Sequence, residues 1–311
     1  MGKCAIIRFA ACAAFVFAAS ETLQAAELTH RWSFNGDYGD SVGGADAVKC
    51  GTYVSLYGDR VHMGYGGCTH GTGYVDLGTN MLDTAEATIE LWARHDGVKN
   101  WARVFDYGAD DNHYFTLSWT WGVNLSRDRA GAKNGTETPK DDTMAPYEIG
   151  VDYYIAVTFK ENGDATDINW QRRDAATGEL QKSGSVTMSG GIHDFIDPVF
   201  YLGHSQYTSD RDALAAYDEV RVWRGVLTDA QLEASAAAGP DAAIAVAAVI
   251  AFLSLFLKTR LGLAIRATGD NTDMVRYSSI DPVFTTTVGL CVANAFTALS
   301  GCLLAQYQKL S

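Results

Sequence analysis

The residue types able to do chemistry in this chain are a pair of carboxylates, a few cysteines and histidines, and a set of large aromatics. Asp210 and Asp212 stand two apart in the loop-like string SDRDA. A next-but-one pair on a strand could approach the separation of about 5 to 5.5 Å that retaining glycosidases use. No G-x-S-x-G elbow marks a nucleophilic serine, so a Ser-His-Asp set has no anchor in the sequence. No residue is assigned a catalytic role.

The cysteines divide by context. Cys4 and Cys12 fall in the first twenty residues, and Cys291 and Cys302 in an apolar tail, which leaves Cys50 and Cys68 in the body. In an exported domain, two cysteines flanking a β-like stretch are most simply a disulfide. The competing reading, a zinc cluster of Cys50, His62, Cys68 and His70, lacks the closely spaced paired half-sites of chelating motifs. The aromatics offer binding chemistry, because sugar rings stack on aromatic faces and hydrogen-bond at their edges. Trp92 and Trp223 point away from the apolar side of their segments, and Trp101, Tyr107, Tyr114 and Trp121 lie in or beside expected loops. Each is either a ligand platform or a packing residue covered by another segment.

Short alternating segments separated by Gly, Asp and Asn clusters must position these groups. Ile89, Leu91 and Ala93 share one face of TIELWAR; Tyr153, Ile155, Val157 and Phe159 share one face of YYIAVTF. Val220 and Val222 do so in DEVRVW, and Phe115, Leu117 and Trp119 in HYFTLSW. A period of two makes each a half-buried strand, and together they predict two antiparallel sheets face to face. One short helix is expected near LTDAQLEASAAAG, capped by Thr228 and stopped by Gly239. At 311 residues with 47% apolar content, the chain can bury a full core and hold two units. The net charge of -13 concentrates in residues 27–240, which carry -15, an acidic balance that argues against nucleic acid as a partner.

The strings HRWSFNGDYGDSVGG, TIELWAR with WARVFDYG, and YDEVRVWRGVLTDAQLEASAAAGPDA resemble, in order, laminin-G-like or concanavalin-A-like jelly-roll domains of bacterial surface proteins. The resemblance spans nearly all of 27–240 and implies a mainly β, two-sheet jelly-roll sandwich. It implies binding or catalysis alike, since the fold hosts both. Jelly-roll glucanases carry an E-x-D-x-x-E strand that this sequence lacks, which favours binding. Asp37 and Asp40 offer turn carboxylates, and related jelly rolls hold calcium between such a loop and the aspartate of the D-E-V-R strand, here Asp218. The same two aspartates also suit glycine-rich turns without any ion. Calcium is the one cofactor the resemblance suggests.

The ends of the chain differ from its body. Lys3 and Arg8 precede an apolar run from Phe9 to Ala19, and small residues follow, the pattern of a secretory signal over 1–26 with cleavage after Ser20 or Ala26. An uncleaved anchor is the alternative. Near the other end, 242–257 and 283–305 are uncharged and read as a transmembrane hairpin, the first short for a full crossing. Gly289, Ala293, Thr297 and Gly301 make a small-residue stripe suited to helix packing. Lys258, Arg260, Arg266 and Arg276 place the connection in the cytoplasm.

FLKTRLGLAIRATGDNTDMVRYSSI, with VGLCVANAFTALSGCLLAQYQ after it, resembles part of an ABC-importer permease of the branched-chain amino acid or tryptophan type. That resemblance would make Gly262, Arg266, Gly269, Asp270 and Asn271 contacts for an ABC ATPase, although whole permeases need many more spans. The expected protein is thus a membrane-tethered binding module for a glycan or a cell-surface protein, noncatalytic, with 27–240 on the periplasmic or extracellular side. The alternatives are a permease subunit, here incomplete or a gene fusion, and a glycoside hydrolase of jelly-roll type.

Overall fold

The structure, a computed structural model, describes residues 26–97, 99–122, 128–138, 141–143, 146–240, 256, 258–270, 283–294 and 297. Its strands in chain order begin with β1 (Glu27–Trp32), β2 (Val48–Gly51), β3 (Val54–Tyr57), β4 (Arg60–Met63) and β5 (Gly73–Thr79). Next come β6 (Glu86–Gly97), β7 (Arg103–Asp110), β8 (His113–Ser118), β9 (Asp128–Asn134), β10 (Thr136–Glu137) and β11 (Asp141–Thr143). The series ends with β12 (Tyr153–Asn162), β13 (Ala165–Asp174), β14 (Leu180–Ser189), β15 (Val199–Leu202) and β16 (Leu214–Arg224). The helices are α1 (Asp229–Ala238) and α2 (Arg260–Asp270), and residues 283–294 are also helical.

The strands form the two expected sheets. The first runs β14-β13-β12-β6-β16-β4-β3 with β1 also on β16, and the second runs β10-β9-β8-β7-β15-β5-β2 with β11 also on β9. Every strand pairing is antiparallel. The register explains why the alternating residues read from sequence meet. Ile89 stands opposite Val157 on one side and Val222 on the other, and Leu91 stands between Ile155 and Val220. These rows are buried and face Phe105, Phe115, Leu117 and Phe200 of the second sheet within one core. At roughly 25 cal/mol per Å² of apolar surface, such wholly buried side chains drive the closure of the sandwich.

α1 obeys its sequence signals. The Thr228 hydroxyl accepts from the Gln231 N–H while the Gln231 side chain accepts from the Thr228 N–H, and Gly239 ends the helix at φ 75°. α1 lies on the outer face of the first sheet, where Leu232 and Ala236 pack with Trp92, Tyr154 and Leu227 in a second small core.

In the tail, α2 occupies the stretch expected to be a cytoplasmic loop. It meets the helix at 283–294, where the hydroxyls of Thr268 and Thr285 lie 2.9 Å apart. A Cβ at Gly289 would stand 3.4 Å from Ile265, so this stripe position packs against α2. Gly262, Arg266, Gly269 and Asp270 fall on α2, and Asn271 lies outside the described residues. Among the described residues no helix is long and apolar enough to cross a membrane. Residues 1–25 of the expected signal segment, 241–255, 257 and most of 295–311 lie outside the described residues.

Candidate functional site

Alternation along β8 turns Phe115 and Leu117 into the core and Tyr114 and Thr116 to the outer face of the second sheet. Arg129 and Gly131 of β9 lie beside them, and Arg103 opens β7 on the same face. A cavity of about 290 Å³ opens there, close to the lower size of small-molecule sites. Its rim is completed by Trp101 from the turn before β7, Glu137 from β10, and Tyr207, Ser209 and Asp210 from the loop between β15 and β16.

Trp101 is held for display at a backbone cost. Its φ of 59° lies in the left-handed region, which a bulky side chain rarely adopts. The turn is closed by the Ala102 N–H donating to the Lys99 carbonyl. Gly122 makes room for the indole, since a Cβ there would come within 2.9 Å of it. The guanidinium carbons of Arg103 and Arg129 lie 5.7 and 5.4 Å from the ring centroid, so two cations approach the indole.

Both cations are neutralised. Arg103 Nη2 donates to Asp210 Oδ2 at 2.6 Å and Nη1 to the Ser118 hydroxyl at 2.9 Å. Arg129 Nη2 donates to Glu137 Oε1 at 2.8 Å. Asp210 also accepts from the Ser205 hydroxyl at 2.8 Å, and the Tyr207 and Tyr114 hydroxyls lie 3.4 Å apart across the mouth. Behind Arg103 sits Asp106, 1% exposed, with Oδ1 lacking a hydrogen-bond partner. Burial pushes its carboxyl up to about 7 against the pull of Arg103. Burial likewise raises the Tyr114 phenol, with Tyr207 adding to it.

The sequence-based candidates separate on this geometry. Trp101 and Tyr114 line the cavity, and Trp121 sits edge-on to Trp101 with centroids 5.9 Å apart. Tyr107 faces the core and donates nothing to the cavity; its hydroxyl accepts from the Leu82 N–H. Trp92 and Trp223 are on the opposite side of the molecule under α1, where the Trp223 indole N–H donates to Glu90 Oε2 at 2.6 Å. They are packing residues. Arg103, Arg129, Gly131, Glu137 and Tyr207 were not singled out from sequence. The alternation of HYFTLSW, which sends Tyr114 and Thr116 opposite to Phe115, is a signal from which this face could have been read.

The expected disulfide is corrected, and the carboxylate candidates take up separate partners. Cys50 and Cys68 are free, the first on β2 beside Tyr74 and the second held by its thiol at the Gly64 carbonyl, so no bridge joins them. Asp37, Asp40 and Asp218 do not gather as a cation site. Asp37 closes a turn onto the Gly39 N–H, Asp218 pairs with Arg60 at 3.3 Å, and Asp40 accepts from four backbone N–H groups besides His30. The Asp210 and Asp212 carboxylates turn to different partners, the former to Arg103 and Ser205 and the latter to His204 and the backbone of 71–73. Among the described residues, the one group of three side chains close enough to hold a metal is His70, His204 and Asp212.

Comparison with known proteins supplies two matches of different reach. Residues 182–311 match the permease component of the branched-chain amino acid transport system. A stretch of 55 residues is 42% identical to a tyrosine transport system permease protein of Clostridioides difficile (strain R20291), covering 18% of this chain and 19% of that protein. The chain thus spans about a fifth of that relative's length. Among solved structures, domain 4 of AbnA, a GH43 extracellular arabinanase from Geobacillus stearothermophilus in complex with arabinotriose, is 20% identical with a TM-score of 0.46. That likeness covers 67% of this chain and 98% of the domain. The Ruminococcus gnavus IT-sialidase CBM40 bound to α2,3 sialyllactose is 15% identical with a TM-score of 0.37, over 48% of this chain and 81% of that one. Residues 69–233, more than half of the chain and most of both sheets, match a family model of their own, and by it the protein belongs to the concanavalin A-like lectin/glucanases superfamily.

Proposed function

We propose that the jelly roll binds a short, uncharged glycan in the cavity beside Trp101 and does not cleave it. The observation that carries this reading is the pairing of a strained, partly exposed indole with two neutralised arginine–carboxylate pairs around one cavity. An aromatic face takes the C–H face of a sugar ring, and paired arginines and carboxylates offer donors and acceptors to hydroxyls without net charge. Membership of a superfamily of lectins and glucanases is compatible with both binding and hydrolysis. Binding is favoured because Asp106, a carboxyl that burial raises to about 7, is buried behind Arg103 and does not line the cavity.

On this reading the first 26 residues export the chain and the C-terminal segment tethers it, so that the jelly roll faces the periplasm or the exterior. A second reading, a permease subunit working with an ABC ATPase, is favoured by the 42% identity over 55 residues of the tail. The deciding experiment is glycan-array binding by the purified full chain and its Trp101→Ala variant. Selective binding to neutral oligosaccharides, lost in the variant, supports the lectin reading; binding unchanged by the substitution removes the cavity from it. Solute uptake into proteoliposomes that hold the chain with an ABC ATPase would instead support the transporter.

A further inference from the structure

The loop that supplies Tyr207, Ser209 and Asp210 to the cavity is fastened at its ends by His204 and Asp212. Asp212, wholly buried, accepts from the backbone N–H groups of Gly71, Thr72 and Gly73 at 3.2, 2.7 and 2.8 Å, and from His204 Nδ1 at 2.7 Å. These four bonds occupy the carboxylate's acceptor sites. The His204 ring is fixed on two sides, stacked on Tyr74 at 3.8 Å and edge-on to Tyr201 at 5.1 Å.

His70 completes the group from the segment that Asp212 clasps. Its ring centroid is 4.2 Å from that of His204. Its Nδ1 is buried with no hydrogen-bond partner, and the Asp210 backbone lies against the ring. A backbone carbonyl on one ring nitrogen is the outer contact that orients ligating histidines and leaves the other nitrogen's lone pair inward.

We infer that His70, His204 and Asp212 form a binding site for a divalent transition-metal ion such as zinc. One ligand atom from each residue lies within 4.8 Å of the others. Ligand atoms about 2.1 Å from a tetrahedral ion stand about 3.4 Å apart, so on binding the widest of these separations closes by up to about 1.4 Å while the His204–Asp212 pair opens from 2.7 Å. Two imidazoles and one carboxylate suit zinc, nickel, copper or iron and disfavour calcium, which takes oxygen ligands. The ion takes the place of the proton between His204 Nδ1 and Asp212 Oδ1 and binds both atoms; that proton leaves to solvent. The ion then staples segment 204–212 to segment 70–73 and fixes the wall of the cavity that carries Asp210.

The test is cobalt(II) titration of the chelator-stripped full chain, followed by visible absorption, with zinc as competitor. The expected result is one ion per chain, displaced by zinc and accompanied by a rise in Tm. His70→Ala keeps the His204–Asp212 clasp and therefore the fold, and should weaken cobalt binding at least tenfold, as should His204→Ala if it folds. Absence of stoichiometric cobalt binding by the wild-type chain, or equal binding by His70→Ala, overturns the site. Because the readout is metal alone, a failure here leaves the glycan reading to its own experiment.

Discussion

Arg103 and Asp210 are 107 residues apart in sequence and 2.6 Å apart in space, and their contact ties the loop after β15 to the edge of the cavity on β7. Both are buried, Arg103 to 4% and Asp210 to 6% exposure, so the pair is desolvated and its two halves cannot be removed independently without cost. Asp210→Ala should destabilise by about 3 kcal/mol, since it strips a buried guanidinium of its principal partner. Replacing both residues by apolar ones, Arg103→Met with Asp210→Leu, should recover most of that loss while abolishing glycan binding. Urea denaturation alongside a binding assay separates the two effects. Equal stability losses in the single and double variants would count against the pair as drawn.

Gly131 forms part of the cavity floor for want of a side chain. A Cβ there meets only the Arg129 Nε at 3.5 Å and a Thr116 methyl at 3.9 Å, both ordinary contacts, and its backbone is in a region open to any residue. Gly131→Leu should therefore fill the cavity and abolish binding while moving Tm by no more than about 2 °C, a shift of well under 1 kcal/mol for a domain of this size. A variant that binds normally with Tm unchanged would place the ligand elsewhere.

Trp92 is the opposite case. It is 3% exposed, lies in the small core under α1, and carries the Arg221 guanidinium 4.5 Å above its ring. Trp92→Ala should cost about 3 to 5 kcal/mol, as large aromatic truncations in cores do, and leave the affinity of the folded fraction for glycan unchanged. Equilibrium unfolding and calorimetric titration check both halves.

Much of the sandwich was legible because strand periodicity is local: the faces of TIELWAR and YYIAVTF follow from a period of two, and Thr228 and Gly239 follow from capping chemistry. The outer face of β6 was not legible. Glu90 and Trp92 alternate as exposed residues should, yet α1 returns from more than 130 residues later to bury them, and Glu90 accepts from both Tyr154 and Trp223 at 2.6 Å. The cavity was half legible for the same reason. Trp101 and Tyr114 advertise themselves by type, whereas Arg103, Arg129 and Tyr207 become site residues only through pairings across 107, 8 and 93 positions. The cysteine pair was misread because an oxidising compartment permits a bridge without placing two thiols together.

The thiols make a direct prediction. Cys68 is buried and Cys50 half-buried, and burial raises both above the ordinary thiol range, which slows their alkylation in the folded chain. In denaturant without reductant, both should take up iodoacetamide, and the folded protein should show no change in Tm with dithiothreitol. Mass spectrometry of the intact chain reads the number of labels; a two-dalton deficit with no label at either position would restore the bridge.

The last prediction concerns Asp106, whose folded-state value near 7 lies well above that of an exposed aspartate. Between those two values the folded chain holds a proton that the unfolded chain has released, so this group's contribution to stability is full at low pH. It fades as pH rises through about 7, where the buried carboxyl must ionise beside Arg103. Asp212 works in the other direction, its lowered value giving stability that is lost in acid. Asp106→Asn removes the first effect and keeps the shape of the side chain. Its stability gain over wild type should therefore be smaller at pH 5 and larger, by about 1 to 3 kcal/mol, at pH 8. Guanidinium unfolding of the two proteins at both pH values measures the difference. A gain of equal size at pH 5 and pH 8 would mean that packing, and not the proton on Asp106, sets the change.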